Sequence, residues 1–289
     1  MAKKSKEIRA PSGLSSTAKR LISLLKKAAA VNGSTGNSEL LYELEKYSRE
    51  LANDEDKNVT AYHFKRAVDN LYNLAHVQHN QVQELNLCLS SGQTYSILGL
   101  LDEARNSYDK AITLSSELDE KVLKARALRL LGNLHLQQTE LKAAISHFEK
   151  SIDLCQESGE PLEEAYGLNS LCAAYFQMAA WRKMERACDQ GLIIAERLGE
   201  DELIACIYNN LGAMHSIRGQ WQKALAAFQK CLPLFEMAGD YRGLAETYNN
   251  MATLYRDQDM WHEAGKCYAQ SIRFSNQAGD TLAKANALL

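Results

Sequence analysis

The strongest constraint in this 289-residue sequence is a spacing of forty residues. The chain has three tryptophans, Trp181, Trp221 and Trp261, and forty residues separate each from the next. The same step back from Trp181 reaches Leu141 and Leu101, which are also large and apolar. A fixed period of this length predicts an internal structural repeat in five copies.

Similar residues recur after this position at steps of three and four. In one copy, Ala224, Phe228 and Cys231 follow Trp221 at such steps. Steps of three and four place side chains on one face of an α-helix. The segment that begins at each large apolar residue is therefore predicted to be helical.

A second helical pattern lies about nine residues earlier in each copy. In the same copy it consists of Gly212, followed by His215 three residues later. The short stretch 218–220 suits a tight connection between two helices. Gly199 and its counterparts suit the end of the second helix, because glycine readily adopts the left-handed conformation. Each forty residues thus predict two antiparallel helices.

The pattern resembles the signature of the tetratricopeptide repeat (TPR) family, whose positions are occupied here by Gly212, His215, Ala224, Phe228 and Cys231. The resemblance implies an all-α fold, a right-handed α-solenoid of TPR helix pairs (an αα superhelix). It covers residues 81–280 as five repeats, 81–120, 121–160, 161–200, 201–240 and 241–280. The usual period is about thirty-four residues, so the chain is similar to the forty-residue subclass of Pins-type adaptors and some bacterial peptide sensors.

The repeat at 161–200 departs from this pattern. Met184 stands where alanine is usual, and Cys188 stands where an aromatic residue is usual. Large and small residues have exchanged places, which can keep the core volume constant. We interpret the three tryptophans as core residues that pack across to the first helix, with ligand stacking as the alternative.

The segments outside the repeats have a different character. Residues 1–27 contain eight basic side chains and one acidic side chain, whereas the whole chain has a net charge of −3. We interpret 1–37 as a basic, largely flexible tail with an amphipathic helix at 15–29. It fits three roles: a solubilising tail, a nuclear-import or nucleic-acid contact, or an organellar presequence. The helix is suited to docking on a partner or a membrane surface.

Two further segments flank the repeats. Residues 38–80 predict two helices, either a degenerate repeat or an N-terminal cap, and we favour the cap. Residues 281–289 predict the start of a further first helix. This segment ends in Leu288-Leu289, so we expect a truncated chain or an apolar end covered by a partner or by another copy.

Sequence motifs argue against catalysis and against a cofactor. Seven widely spaced cysteines without a C-x-x-C pair predict buried core thiols rather than metal ligands. G-x-S-x-G, P-loop and G-x-G-x-x-G patterns are absent, and the carboxylate pair 163–164 falls on a predicted exposed helix start. No apolar run suits a membrane span. We expect a non-enzymatic, cytoplasmic protein, with a nuclear location as the alternative because of the basic N-terminus.

The family resemblance also implies where a partner binds. First helices of successive TPRs line a concave groove that holds an extended peptide or a partner helix. The groove positions are occupied here by Arg126, Arg129, Asn133, Asn169, Asn209, Asn210, Asn249 and Asn250. Asparagine amides suit the main chain of a peptide, and the two arginines suit a carboxylate. The alternative is that these asparagines only solvate the helices or join neighbouring repeats.

The main hypothesis is therefore a protein-interaction scaffold or adaptor for a protein or peptide ligand, which offers either an acidic or an amphipathic segment. It excludes a small-molecule substrate and does not require nucleic acid. Two alternatives remain. One is a regulatory subunit that contacts nucleic acid or an acidic surface through residues 1–27. The other is a bacterial-type peptide sensor, which follows from the forty-residue resemblance.

Overall fold

The computed structural model describes residues 16–29, 47–48, 57–77 and 80–278, and none of these residues lies in a β-strand. Twelve helices have defined bounds there. In chain order they are α1 (Ser16–Ala29), α2 (Lys57–Val77), α3 (Gln81–Ile97), α4 (Leu101–Glu117), α5 (Lys121–Gln137), α6 (Leu141–Ser158), α7 (Pro161–Gln177), α8 (Trp181–Leu198), α9 (Asp201–Ile217), α10 (Trp221–Ala238), α11 (Tyr241–Arg256) and α12 (Trp261–Ala278). The predicted all-α class is confirmed.

The helices follow the period of the sequence. First helices begin at residues 81, 121, 161, 201 and 241, and each second helix begins twenty residues later. Gly159, Gly199 and Gly239 have positive φ at the C-caps of three second helices, as predicted for a helix end. The chain therefore turns back at regular intervals, and each pair of helices is antiparallel.

Contacts divide the chain into two compact units, residues 1–114 and 115–289. In the first unit, α1 and α2 pack against α3. Leu21 and Leu25 of α1 are fully buried there. The amphipathic helix predicted at 15–29 is thus present as α1, but its apolar face packs inside the unit. The hypothesis that this face docks on a membrane or partner is wrong.

The second unit contains the helix pairs from α5 to α12. Each first helix packs against the second helix of its own pair. The second helices α6, α8 and α10 also pack against the first helices that follow them, α7, α9 and α11. The first helices α5, α7, α9 and α11 also contact one another in succession. This serial packing is the arrangement of an α-solenoid, in which each repeat is stabilised by its neighbours.

The two helices of a pair approach closely at the signature glycine. A Cβ atom added to Gly212 would lie 2.4 Å from the ring of Phe228, and one added to Gly132 would lie 2.5 Å from the ring of Phe148. Ala224, three residues into its second helix, is fully buried. Small residues at these positions therefore let an aromatic ring fill the space between the helices.

The tryptophans are less buried than their interpretation as core residues required. Trp181 is half-buried and packs edge-on against Phe176 at 5.8 Å, and Trp221 is also half-buried. Trp261 is 65% exposed. Each tryptophan is the first residue of its helix, so solvent reaches the ring at the end of the pair. The interpretation is wrong for Trp261 and only partly right for the other two.

Several predictions concern segments outside the described residues. These are the parts of the predicted tail at 1–15 and 30–37, most of 38–56 and the helix start at 281–289. Within the part of the chain that is described, no helix combines the length and hydropathy needed to cross a membrane.

Candidate functional site

The candidate site is the row of first helices α5, α7, α9 and α11, which we call the first-helix surface. All eight predicted groove residues lie on it. The first helices recur every forty residues and contact one another in succession, so side chains of neighbouring first helices come close together. The structure shows two kinds of contact between them, an ion-pair cluster and asparagine pairs.

The ion-pair cluster joins α5 to the start of α7. Arg129 donates from Nε to Oε1 of Glu163 at 2.6 Å, and Arg126 donates from Nε to Oε2 of the same carboxylate at 3.3 Å. The Glu163 side chain is 5% exposed, whereas those of Arg126 and Arg129 are 24% and 15% exposed. Two guanidinium groups thus share one buried carboxylate, which leaves one positive charge without a partner inside the cluster.

The electrostatics of the cluster hold Glu163 and Arg129 in their charged forms. Burial by itself would raise the pKa of Glu163, but Arg129 and Arg126 outweigh burial and hold that pKa below its usual value. Burial would likewise lower the pKa of Arg129, and Glu163 reverses this effect and raises it. The Arg129 guanidinium also lies 5.3 Å from the centre of the Tyr166 ring.

The position of Glu163 differs from the one that the sequence predicted. It was expected on an exposed helix start, and it is buried. The equivalent positions forty residues away are Leu123 and Leu203, which are both 2% exposed. A glutamate between a leucine in the preceding repeat and a leucine in the following one was the available signal, because a buried carboxylate needs a cationic partner.

The asparagine pairs join successive first helices. Asn210 donates from Nδ2 to Oδ1 of Asn169 at 2.9 Å, and Asn250 donates from Nδ2 to Oδ1 of Asn209 at 3.2 Å. Each pair is separated by forty-one residues. The alternative that these asparagines join neighbouring repeats is therefore correct for four of the six.

Asn209 is the most heavily bonded of them. Its Oδ1 also accepts from Thr247 Oγ1 at 3.2 Å, and its Nδ2 donates to Glu246 Oε1 at 3.2 Å. Because the side chain of Asn209 is buried and its amide already has partners, it supports the surface rather than offering groups to a ligand. The prediction that it faces a ligand directly is wrong.

The remaining asparagines keep unused polar groups. Within the pairs, Oδ1 of Asn210 and Oδ1 of Asn250 take no part in the bonds. Asn249 Oδ1 is buried without a hydrogen-bond partner. Asn133 is half-buried on α5, one turn after Arg129. The structure therefore brings the two arginines together and pairs four asparagines, whereas Asn133 and Asn249 join neither group.

The described residues contain no group of three or more His, Cys, Asp or Glu side chains that could hold a metal ion. Six of the seven cysteines are buried and Cys206 is half-buried. Burial raises the pKa of Cys155 to about 12, which keeps this thiol protonated and unreactive at neutral pH. The cysteines are thus core residues, as predicted.

Comparisons with solved structures show the same fold in other proteins. A Rap protein complexed with Competence and Sporulation Factor has a TM-score of 0.68 at 12% identity, over 94% of this chain and 78% of that chain. NprR in complex with its cognate peptide NprX has a TM-score of 0.62 at 14% identity, over 93% and 77%. BtubC from P. vanneervenii has a TM-score of 0.61 at 19% identity, over 75% and 89%.

At these identities the similarity concerns the fold alone, and no curated protein has a sequence that matches this chain. The Pins-type subclass stays a prediction. The family is decided by the sequence model of the tetratricopeptide repeat, which matches residues 86–157 and 163–237, about half of the chain. The chain belongs to the tetratricopeptide repeat family.

Proposed function

We propose that the chain is a non-enzymatic interaction scaffold whose first-helix surface binds an acidic segment of a partner protein or peptide. The observation that carries the proposal is the uncompensated positive charge of the Arg126–Arg129–Glu163 cluster, which lies on the same surface as the asparagine pairs. The complexes of the Rap protein and of NprR, whose folds are similar, each contain a bound factor or peptide. They support ligand binding by a TPR stack of this kind.

The arginine cluster favours a carboxylate. Arg129 has the shorter bond to Glu163 and the less exposed side chain. Arg126 has the longer bond and is more exposed, so it is the guanidinium that a ligand reaches more easily. A ligand carboxylate would complete a pairing of two cations with two anions, and charge-assisted hydrogen bonds of this kind are among the strongest.

The asparagines favour a peptide main chain next to the carboxylate. The unused Oδ1 atoms of Asn210 and Asn250 are acceptors for main-chain N–H groups. Their Nδ2 groups are held by the neighbouring asparagines, so the side chains do not have to be ordered when a ligand arrives. Such preorganisation lowers the entropy cost of binding.

The experiment compares two variants that remove one positive charge each. Arg126→Gln removes the more accessible guanidinium and leaves the Arg129–Glu163 bond in place. Lys150→Gln removes an exposed cation from α6, away from the first-helix surface. Arg129→Glu is unsuitable, because it would place a second carboxylate against the buried Glu163.

The probe is an array of synthetic peptides with free C-terminal carboxylates or acidic side chains, matched to amidated and neutral versions. We expect the full chain to select carboxylate-bearing peptides, and Arg126→Gln to weaken their binding about tenfold or more. Lys150→Gln should bind like the unchanged chain. Equal binding to the neutral peptides, or equal binding by both variants, would reject the proposal.

A second candidate is a peptide sensor, in which binding changes the pitch of the helix stack. The similarity to the Rap protein and to NprR over more than nine-tenths of this chain favours it. Small-angle scattering of the full chain with and without a selected peptide separates the two candidates. A scaffold keeps its radius of gyration, whereas a sensor changes it.

A further inference from the structure

The third repeat has two cysteines where the neighbouring repeats have a glycine and an aromatic ring. Cys172 of α7 occupies the place of Gly132 and Gly212, and Cys188 of α8 occupies the place of Phe148 and Phe228. In those repeats the two positions are in direct contact. The fold therefore forces the two thiols against each other.

The sulfur atoms confirm this contact. Cys188 Sγ lies 2.9 Å from Cys172 Sγ and donates its hydrogen to it. Cys172 in turn donates to the carbonyl oxygen of Met184 at 3.7 Å. Both side chains are fully buried. All seven cysteines lie within the described residues, and this pair forms the one sulfur–sulfur contact among them.

We propose that Cys172 and Cys188 are an oxidative modification site, at which a two-electron oxidant such as hydrogen peroxide joins α7 to α8 through an intramolecular disulfide. Two S–H bonds break and one S–S bond forms. The two electrons and two protons pass to the peroxide, whose O–O bond breaks to give two water molecules. A dithiol reductant reverses the reaction.

The surroundings of the pair determine how fast it reacts. The hydrogen bond to Cys172, together with burial, raises the pKa of Cys188, and both thiols are shielded from solvent. Oxidation therefore requires a transient opening of the third repeat, and its rate increases with pH because the thiolate is the nucleophile. The thiols are protected during brief exposure and react during sustained oxidation.

The bridge would close a loop between residues sixteen apart. A cross-link of this length removes conformational freedom from the unfolded chain, so the oxidised protein should be the more stable form. Met184, whose carbonyl oxygen accepts from Cys172, is fully buried beside the pair. The bridge would form whether or not the first-helix surface binds a peptide.

The test treats the full chain with hydrogen peroxide and then unfolds it in a thiol-alkylating reagent without reductant. Digestion with trypsin and Glu-C separates Cys155 from Cys172 at Glu164, so mass spectrometry assigns the linkage without ambiguity. We expect a peptide containing Cys172 joined to one containing Cys188, and its loss after treatment with dithiothreitol. The melting temperature should rise on the order of 5–10 °C on oxidation.

Two results would overturn the inference. One is that Cys172 and Cys188 are both recovered as alkylated free thiols, although the same peroxide treatment has already oxidised methionines of the protein. The other is that a disulfide forms between different cysteines at least as readily. The matched control is Cys155→Ala, which removes another fully buried thiol and should leave the linkage unchanged, whereas Cys188→Ala should abolish both the linkage and the rise in melting temperature.

Discussion

Asn210 donates a hydrogen bond from its side-chain nitrogen to the side-chain oxygen of Asn169, which lies forty-one residues earlier in the chain. Asn250 has the same relationship to Asn209. The relationship recurs because the first helices repeat every forty residues and stack side by side. The asparagines thus hold consecutive repeats together while they carry the surface proposed for binding.

The first prediction concerns the buried asparagine. Asn209→Ala would leave the hydroxyl of Thr247 and the amide of Asn250 without their acceptor, so we expect a loss of about 1–3 kcal/mol in the free energy of unfolding. Urea unfolding followed by circular dichroism measures it. Asn133→Ala is the control on the same surface, and it should change the stability by about 0.5 kcal/mol or less.

The second prediction concerns the pH dependence that Glu163 confers. Its folded pKa is lower than the usual 4.5, so its stabilising contribution is present above pH 4.5 and is lost as the pH falls through the folded pKa. Glu163→Gln should cost about 3 kcal/mol at neutral pH, because two partly buried arginines lose the counter-charge of a buried carboxylate. Below the folded pKa the difference between variant and unchanged chain should shrink. A difference that is constant with pH would contradict the assignment.

The third prediction separates two helical glycines. Gly212→Ala should destabilise the protein by about 1–3 kcal/mol, because the new methyl group would lie 2.4 Å from the ring of Phe228. Gly265→Ala meets no atom within 4 Å and should stabilise it by about 0.5–1 kcal/mol, because alanine favours the helix. Thermal melting of both variants compares the two effects, and a Gly212→Ala variant that is as stable as Gly265→Ala would contradict the close approach.

The fourth prediction concerns alkaline conditions. Burial raises the pKa of Cys155 to about 12 from a usual value of 9.0, and that of Cys231 to about 11. The stability contributed by these protonated thiols is fully present below pH 9 and is lost as the pH rises towards the folded values. The free energy of unfolding should therefore fall above pH 9. Cys155→Ala should reduce this slope by about 1.4 kcal/mol per pH unit, and an unchanged slope would contradict the shift.

The helices could be predicted from the sequence because their signals are local. Ala224 and Phe228 are four residues apart, and their spacing already implies one helix face. The candidate surface could be predicted only in outline. The positions of Arg126 and Arg129 were available from the repeat register, but their partner is Glu163, which the chain brings to them from the next repeat. No local pattern specifies such a contact.

The amino-acid sequence alone determined the repeat, its forty-residue period, the all-α class and the positions that share a helix face, because these properties depend on spacing along the chain. Only the tertiary structure decided which polar groups are already bonded, how far each tryptophan is buried, and that Cys172 faces Cys188. These properties depend on packing between helices, where burial and the distance between groups set the cost of each unpaired charge or hydrogen bond.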